Sequence, residues 1–440
     1  MKECKNMDDY LSDIKLPKFY KARQRFDTAC IERENIPAVL RKELEGLNLA
    51  EKTWAGMRIA ITAGSRGVAN IDVVLRTIVA YLQELKTNPF IVPAMGSHGG
   101  GTAEGQREIL KGYKITEETM GCPIISAMEV VKIGVTEDGR DSYIDKNAAE
   151  ADGIVVVGRI KPHTAFRGPY QSGLMKMMAI GLGKQYGARV CHAEGFRRMG
   201  YNVEIFGKAV IKNSNVLCAV GLIENAFDKT WKIAAMHKED IEKREPGLLK
   251  EAESRMPQIL FSHCDVLIVN EIGKNFSGDG MDPNVTGTFA TPYATGNFSA
   301  ERVCVLDLSP ESHGNGMGSG MASVITKKVF DQLDLTSIYL NGFTCRNLNG
   351  SRIPCVLPTD ENAIKFCLGT CVEANPEEPK IIRIFNSQFV EYIWISEALA
   401  KKLPEGMELI GEPEELKFDE TGNLTDKEPR QRGQRYFKED

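Results

Sequence analysis

Apolar runs broken by polar and glycine-rich turns organise the first half of the chain. The run MRIAITAG (57–64) predicts a buried strand. IDVVLRTIVAYLQEL (71–85) has apolar positions at helical spacing, with Asn70 placed as its N-cap. PFIVPAMG (89–96) predicts a second strand that runs into SHGGGT, where Thr102 is placed to cap the helix AEGQREILKGY. DGIVVVGRI (152–160), NVLCAVGLIEN (215–225) and DVLIVNEIG (265–273) repeat the apolar theme. Strands alternating with helices imply crossover connections, a mostly parallel sheet and an α/β fold. TEDGRDSYI predicts a hairpin around Asp138-Gly139.

The charged run MHKEDIEKREPGLLKEAESRM (236–256) reads as exposed helices joining two halves. A second α/β unit follows, including RVCVLDLS, KKVFDQLDL and KIIRIFNS, and the polar tail after about 410 reads as partly disordered. The expected organisation is therefore two α/β domains, 1–256 and 257–440, with the active site in a cleft between them. A chain of 440 residues is too long for one ordinary domain.

Composition narrows the classes. A net charge of −5 argues against a nucleic-acid surface, which needs a basic excess. No apolar run reaches the roughly 20 residues of a membrane helix, and the start MKECKNMDDYLSDIKL lacks a signal-peptide core. The expected location is the cytoplasm, with no membrane partner. The 11 cysteines include no C-x-x-C pair, which fits reduced thiols rather than a disulfide frame or structural zinc.

Candidate chemistry falls in loops after strands, where open α/β sheets bind ligands. In AGSRGVAN (63–70), Gly64 and Gly67 let backbone amides approach an anion, and Arg66 can grip a phosphate or carboxylate. A simple tight turn explains this stretch equally well. His98 sits among glycines in GSHGGGT, suited to general acid–base work or to a surface loop. His163 in RIKPHTAFRG follows a third strand and reads as a turn residue or a second proton carrier. Lys176 lies in GLMKMMAIGLGK among methionines. It is either snorkelling or desolvated and nucleophilic. His192 in ARVCHAEG suits nickel, zinc or iron.

The ordered set His98, His163, Lys176, His192 resembles the lactate racemase family that uses a nickel-pincer nucleotide. The resemblance covers most of residues 50–200. It implies a pyridinium mononucleotide whose two sulfur-bearing arms and ring carbon clamp nickel. By resemblance, Lys176 tethers one arm, His192 ligates nickel, and His98 and His163 exchange protons with a substrate hydroxyl while the ring carbon takes and returns a hydride. Ser65, Arg66 and Gly67 would meet the cofactor, and Arg66 with Lys274 the substrate. The partners implied are a small 2-hydroxy acid and the enzymes of cofactor biosynthesis.

Two departures bear on the substrate. Arg66 stands in Ala63-Gly64-Ser65-Arg66-Gly67 without the aspartate and proline of the family's Asp-x-[ST]-Arg-Pro loop. The second half offers Lys274, Asn275, Asp279 and Asp282 in NEIGKNFSGDGMDPNVTG in place of a Tyr-Gln-x-x-Lys motif. The expectation is an isomerase acting on a lactate-like or sugar-acid 2-hydroxy acid. The competing readings are a zinc- or iron-dependent hydrolase or lyase using the same histidines, and a cofactor-binding protein without turnover.

Overall fold

A computed structural model describes residues 7–426, which divide into two compact units. One unit runs from Asp27 to Met256; the other joins the start of the chain, through Phe26, to the segment beginning at Pro257.

The 27–256 unit is built on a five-stranded sheet in the order Asn88–Pro93, Arg58–Ala63, Gly153–Arg159, Val216–Glu224, Thr230–His237. The first four strands run parallel, and Thr230–His237 closes one edge antiparallel. These strands read as continuous apolar runs because the sheet is covered on both faces. Ile61 and Val155 pack with Val74 and Ile78 on one face. Ala60 and Val156 pack with Leu174, Met178, Val203 and Leu249 on the other.

Because the four strands are parallel, Ala63, Pro93, Arg159 and Glu224 end at the same edge. The strand order reverses at Arg58–Ala63. The chain steps outward to Asn88–Pro93, then returns past its starting strand to Gly153–Arg159. Loops leaving the two strands at such a reversal diverge and leave a crevice between them. Here those loops carry Arg66 and His163.

Most local expectations for this unit appear with trimmed ends. Thr102 Oγ1 caps Ala103–Gly112 by accepting the Gly105 amide at 3.0 Å. The hairpin pairs Val130–Val135 with Asp141–Asp145. Asn70 differs: it precedes Ile71–Glu84, but in a left-handed conformation (φ 58°) with no side-chain cap. Its side chain instead donates to Thr230 Oγ1 and accepts from Arg33, both at 3.0 Å.

Segment 236–256 is not a solvated connector. His237 ends an edge strand, and Ile241–Arg255 is one helix that buries Ile241, Glu245, Leu248, Leu249 and Ala252. It packs on Val216–Glu224 and on the short helix Leu174–Lys176. The apolar residues recur at helical spacing beneath the charge, and sheet contact selects that face.

The other unit holds an eight-stranded mixed sheet. Its strands Cys355–Leu357, Val324–Thr326, Ser299–Val305, His263–Val269 and Ile381–Ile384 are parallel neighbours in that order. Tyr392–Ser396, Phe19–Gln24 and Met407–Glu414 continue it antiparallel. Residues 7–26, expected with the first domain, thus belong with the second. Part of the tail expected to be disordered is an edge strand, and residues 427–440 lie outside the described residues.

Among the described residues no helix is long and apolar enough to cross a membrane.

Candidate functional site

The Lys176 segment begins as the short helix Leu174–Lys176 and widens into a π-helical turn, Met177–Gly181. There the Leu182 amide reaches back to the Met177 carbonyl at 2.9 Å. Such turns interrupt regular helix geometry and recur at functional sites. This one lies against the sheet's carboxyl edge. A side chain at Gly64 would press on the Met177 methyl, and the Gly96 amide donates to the Gly181 carbonyl at 3.1 Å. The Arg66 and His98 loops therefore both rest on the turn that follows Lys176.

Ser65 Oγ and His98 Nδ1 share a short hydrogen bond, which joins these two loops. Tyr113 donates to the Ser65 carbonyl at 3.0 Å and lies against Gly67. Arg66, Gly67 and His98 are exposed, and Ser65 is half-buried. A charged arginine and an imidazole held at an open edge can meet an anionic solute without first being desolvated.

His163 is more enclosed. Its amide donates to Gln171 Oε1 at 2.8 Å, and its ring lies 4.3 Å from that of Phe166. The Ala165 amide donates to His163 Nδ1 at 3.0 Å. Nδ1 is thus an acceptor, and the neutral ring carries its proton on Nε2. Burial holds its pKa well below the usual 6.5, and the charges of Lys176, His192, Lys161 and Arg167 push the same way. That set of neighbours places Lys176 and His192 around His163.

His192 ends the helix Lys184–Cys191 as its C-cap. Its Nδ1 donates to the Ala188 carbonyl at 2.7 Å, one turn back. The neutral ring therefore keeps its lone pair on Nε2, the arrangement of a metal-binding imidazole oriented by a backbone carbonyl. Phe196 neighbours both imidazoles, its ring centroid 6.3 Å from that of His163 and 6.4 Å from that of His192. Burial pushes the neighbouring Cys191 thiol up to about 12, so without a metal it stays protonated at neutral pH.

Glu245 was hidden inside the charged run. Its Oε2 accepts the Met175 amide at 2.9 Å, at the start of the helix that carries Lys176. The carboxyl is buried, and its pKa is raised to about 7 by loss of solvent. Arg159 and Glu224 form a partly buried ion pair at the strand ends, and Glu224 Oε1 accepts the Ala69 amide at 2.6 Å. That contact fixes the far end of the Arg66 loop. Spacing alone signalled none of these partners.

The site thus gathers Ser65, Arg66, Gly67, His98, His163, Lys176 and His192 at one sheet edge. Lys274 belongs to the other unit, where its Nζ donates to the Gly278 carbonyl at 2.6 Å and to Asn341 Oδ1 at 3.4 Å. A cavity of about 650 Å³ lies at the opposite strand ends, beside Arg58 and Asn88, and is lined by none of these residues.

A search of curated proteins finds no match. One solved structure that the chain resembles is the lactate racemase apoprotein from Thermoanaerobacterium thermosaccharolyticum. It is 15% identical, with a TM-score of 0.43, over 83% of this chain and 84% of that one. Residues 6–201 match the family model described as the lactate racemase N-terminal domain. That segment, under half of the chain, holds every candidate residue except Lys274.

Proposed function

We propose that the protein is a racemase or epimerase of 2-hydroxy acids that works with a nickel-pincer nucleotide. The observation that carries this reading is the pair of opposite tautomers around Lys176. His192 presents the Nε2 lone pair that a metal needs, whereas His163 carries its proton on Nε2. Among the described residues no three of His, Cys, Asp or Glu converge as a metal-binding group. A metal held by His192 would therefore take its other ligands from a bound organic group, as a pincer provides. This favours the nickel-pincer reading over a zinc- or iron-dependent hydrolase or lyase, whose metal needs about three protein donors.

In this reading Lys176 tethers the cofactor through its amine, and Ser65 and Gly67 meet it from the first loop. When bound, the group supplies the centre that accepts and returns the C2 hydrogen with its electron pair. The protein's own work is proton traffic and placement. His163 Nε2 and His98, the latter oriented by Ser65, exchange a proton with the substrate hydroxyl. Two carriers are required because the hydroxy acid is deprotonated with its C2 hydrogen on either side. Arg66 pairs with the substrate carboxylate. The cytoplasm is the proposed location, and the cofactor-biosynthesis enzymes are the proposed partners.

The decisive experiment co-produces the chain with those enzymes. Intact-protein mass, nickel content and interconversion of C2-deuterated 2-hydroxy acids are then measured. A covalent adduct, about one nickel per chain and enantiomer exchange with retained deuterium support the reading. Turnover with solvent hydrogen appearing at C2 would replace it with proton abstraction by the histidines. No turnover on any 2-hydroxy acid would leave a cofactor-binding protein.

A further inference from the structure

Lys184 is a charged side chain with no exposed surface, and it adopts a left-handed backbone conformation (φ 52°). A buried ammonium requires acceptors on several sides. It finds them on three separate elements. Its Nζ donates to the Pro93 carbonyl and, at 3.2 Å, to Gln106 Oε1, and it lies 3.2 Å from Asp145 Oδ2. Pro93 is the last residue of the strand that leads to His98.

Gln106 passes this constraint onward. It too has no exposed surface, and its Nε2 donates to the carbonyls of Gly96 at 3.0 Å and His98 at 3.3 Å. An ammonium has no acceptor capacity, so it dictates which end of the Gln106 amide faces it. With Oε1 turned to Lys184, the NH₂ group must face the loop. The loop needs such support. Gly99, Gly100 and Gly101 all hold φ near 67°, and glycine has the most backbone freedom to lose.

We infer that Lys184 and Gln106 form a buried brace that sets the backbone position of His98. Lys184 also opens the helix that His192 ends. One cation thus ties the loop of a proton carrier to the helix of the metal ligand. Both are positioning residues; neither touches the substrate. The catalytic consequence rests on the proposed role of His98, but the brace itself does not.

The test uses Gln106→Glu and Lys184→Met in the full chain. Gln106→Glu keeps an acceptor for Lys184 and removes the donor to the loop. Hydrogen exchange in the cofactor-free protein reads the amides of Gly96, His98, Gly101 and Thr102. All four are hydrogen-bonded in or beside the loop. In Gln106→Glu their exchange should accelerate about tenfold or more, while Arg58–Ala63 and Gly153–Arg159 keep their rates. In the loaded enzyme kcat should fall about tenfold or more, with KM and nickel content within about twofold. Lys184→Met should show the same local pattern, because the Gln106 amide loses its orientation. Wild-type exchange in Gln106→Glu overturns the brace, and so does acceleration spread evenly over the sheet. Inactivity of the wild type on all 2-hydroxy acids would count against the proposed function alone, since exchange still decides the brace.

Discussion

Glu245 Oε2 accepts the backbone N–H of Met175 at 2.9 Å, while its Oε1 is buried with no hydrogen-bond partner among the described residues. One carboxyl therefore anchors the start of the Lys176 helix from a site that disfavours its charge. Its folded-state pKa is about 7 rather than 4.5. A raised carboxyl pKa gives a stability contribution present in full below the unfolded value and lost as pH rises through about 7. Relative to Glu245→Gln, the wild type should lose on the order of 3 kcal/mol between about pH 5 and pH 8.5. Denaturant midpoints of both proteins at the two pH values check this. Parallel profiles would mean that Glu245 is not buried as described.

His163 should stay neutral in the cofactor-free protein well below the usual 6.5, for burial and then the cations around it oppose protonation. For a base the sign is opposite to that of Glu245. The contribution is present above about 6.5 and is lost as pH falls. Proton NMR of its Cε1–H, assigned with His163→Gln, should show no titration from about pH 8 down to about 6. An ordinary midpoint near 6.5 would place the ring in solvent.

His192→Ala removes the Nε2 lone pair fixed by the Ala188 contact. Nickel in the co-produced protein should fall to about a tenth or less. Lys176→Ala should abolish the covalent mass increment while retaining part of the bound cofactor. Unchanged nickel in His192→Ala would point to another ligand.

His98→Ala and His163→Ala should each stop turnover in both directions, because each carrier serves one face and the cycle needs both. Ser65→Ala removes the hydrogen bond to His98 Nδ1 together with a proposed cofactor contact. It should lower kcat about tenfold or more, and nickel content measured alongside separates lost orientation of His98 from lost cofactor. Polarimetry from either enantiomer measures all three. Near-normal activity in either alanine variant would make that histidine structural.

Much of the fold was legible because it is local. Gly153–Arg159 reads as a strand from its own residues, all but the last of them buried. The hairpin at Asp138-Gly139 and the Thr102 cap rest on neighbours within a few positions. Legibility failed where pairing is distant. Phe19–Gln24 alternates imperfectly and is a strand because Lys21 pairs with Trp394 and Ile410. Met407–Glu414 is half polar, as suits an edge, and so resembled a tail. In segment 236–256, charge concealed a helix with a buried face.

The candidate site divides along the same line. The sequence by itself determined which residue types are present, that Arg66, His98 and His163 each follow a strand end, and that Lys176 and His192 come after them in order. Their chemistry and order are covalent facts, and strand ends can be read from apolar runs. Only the tertiary structure decided their states. The proton of His163 is placed by the Ala165 amide, that of His192 by the Ala188 carbonyl, and the orientation of His98 by Ser65. It also recruited Glu245, Lys184 and Gln106, whose roles depend on burial and on acceptors from separate elements. Tautomer, desolvation and brace are properties of contacts, and those contacts exist only once parallel strands bring their ends to one edge.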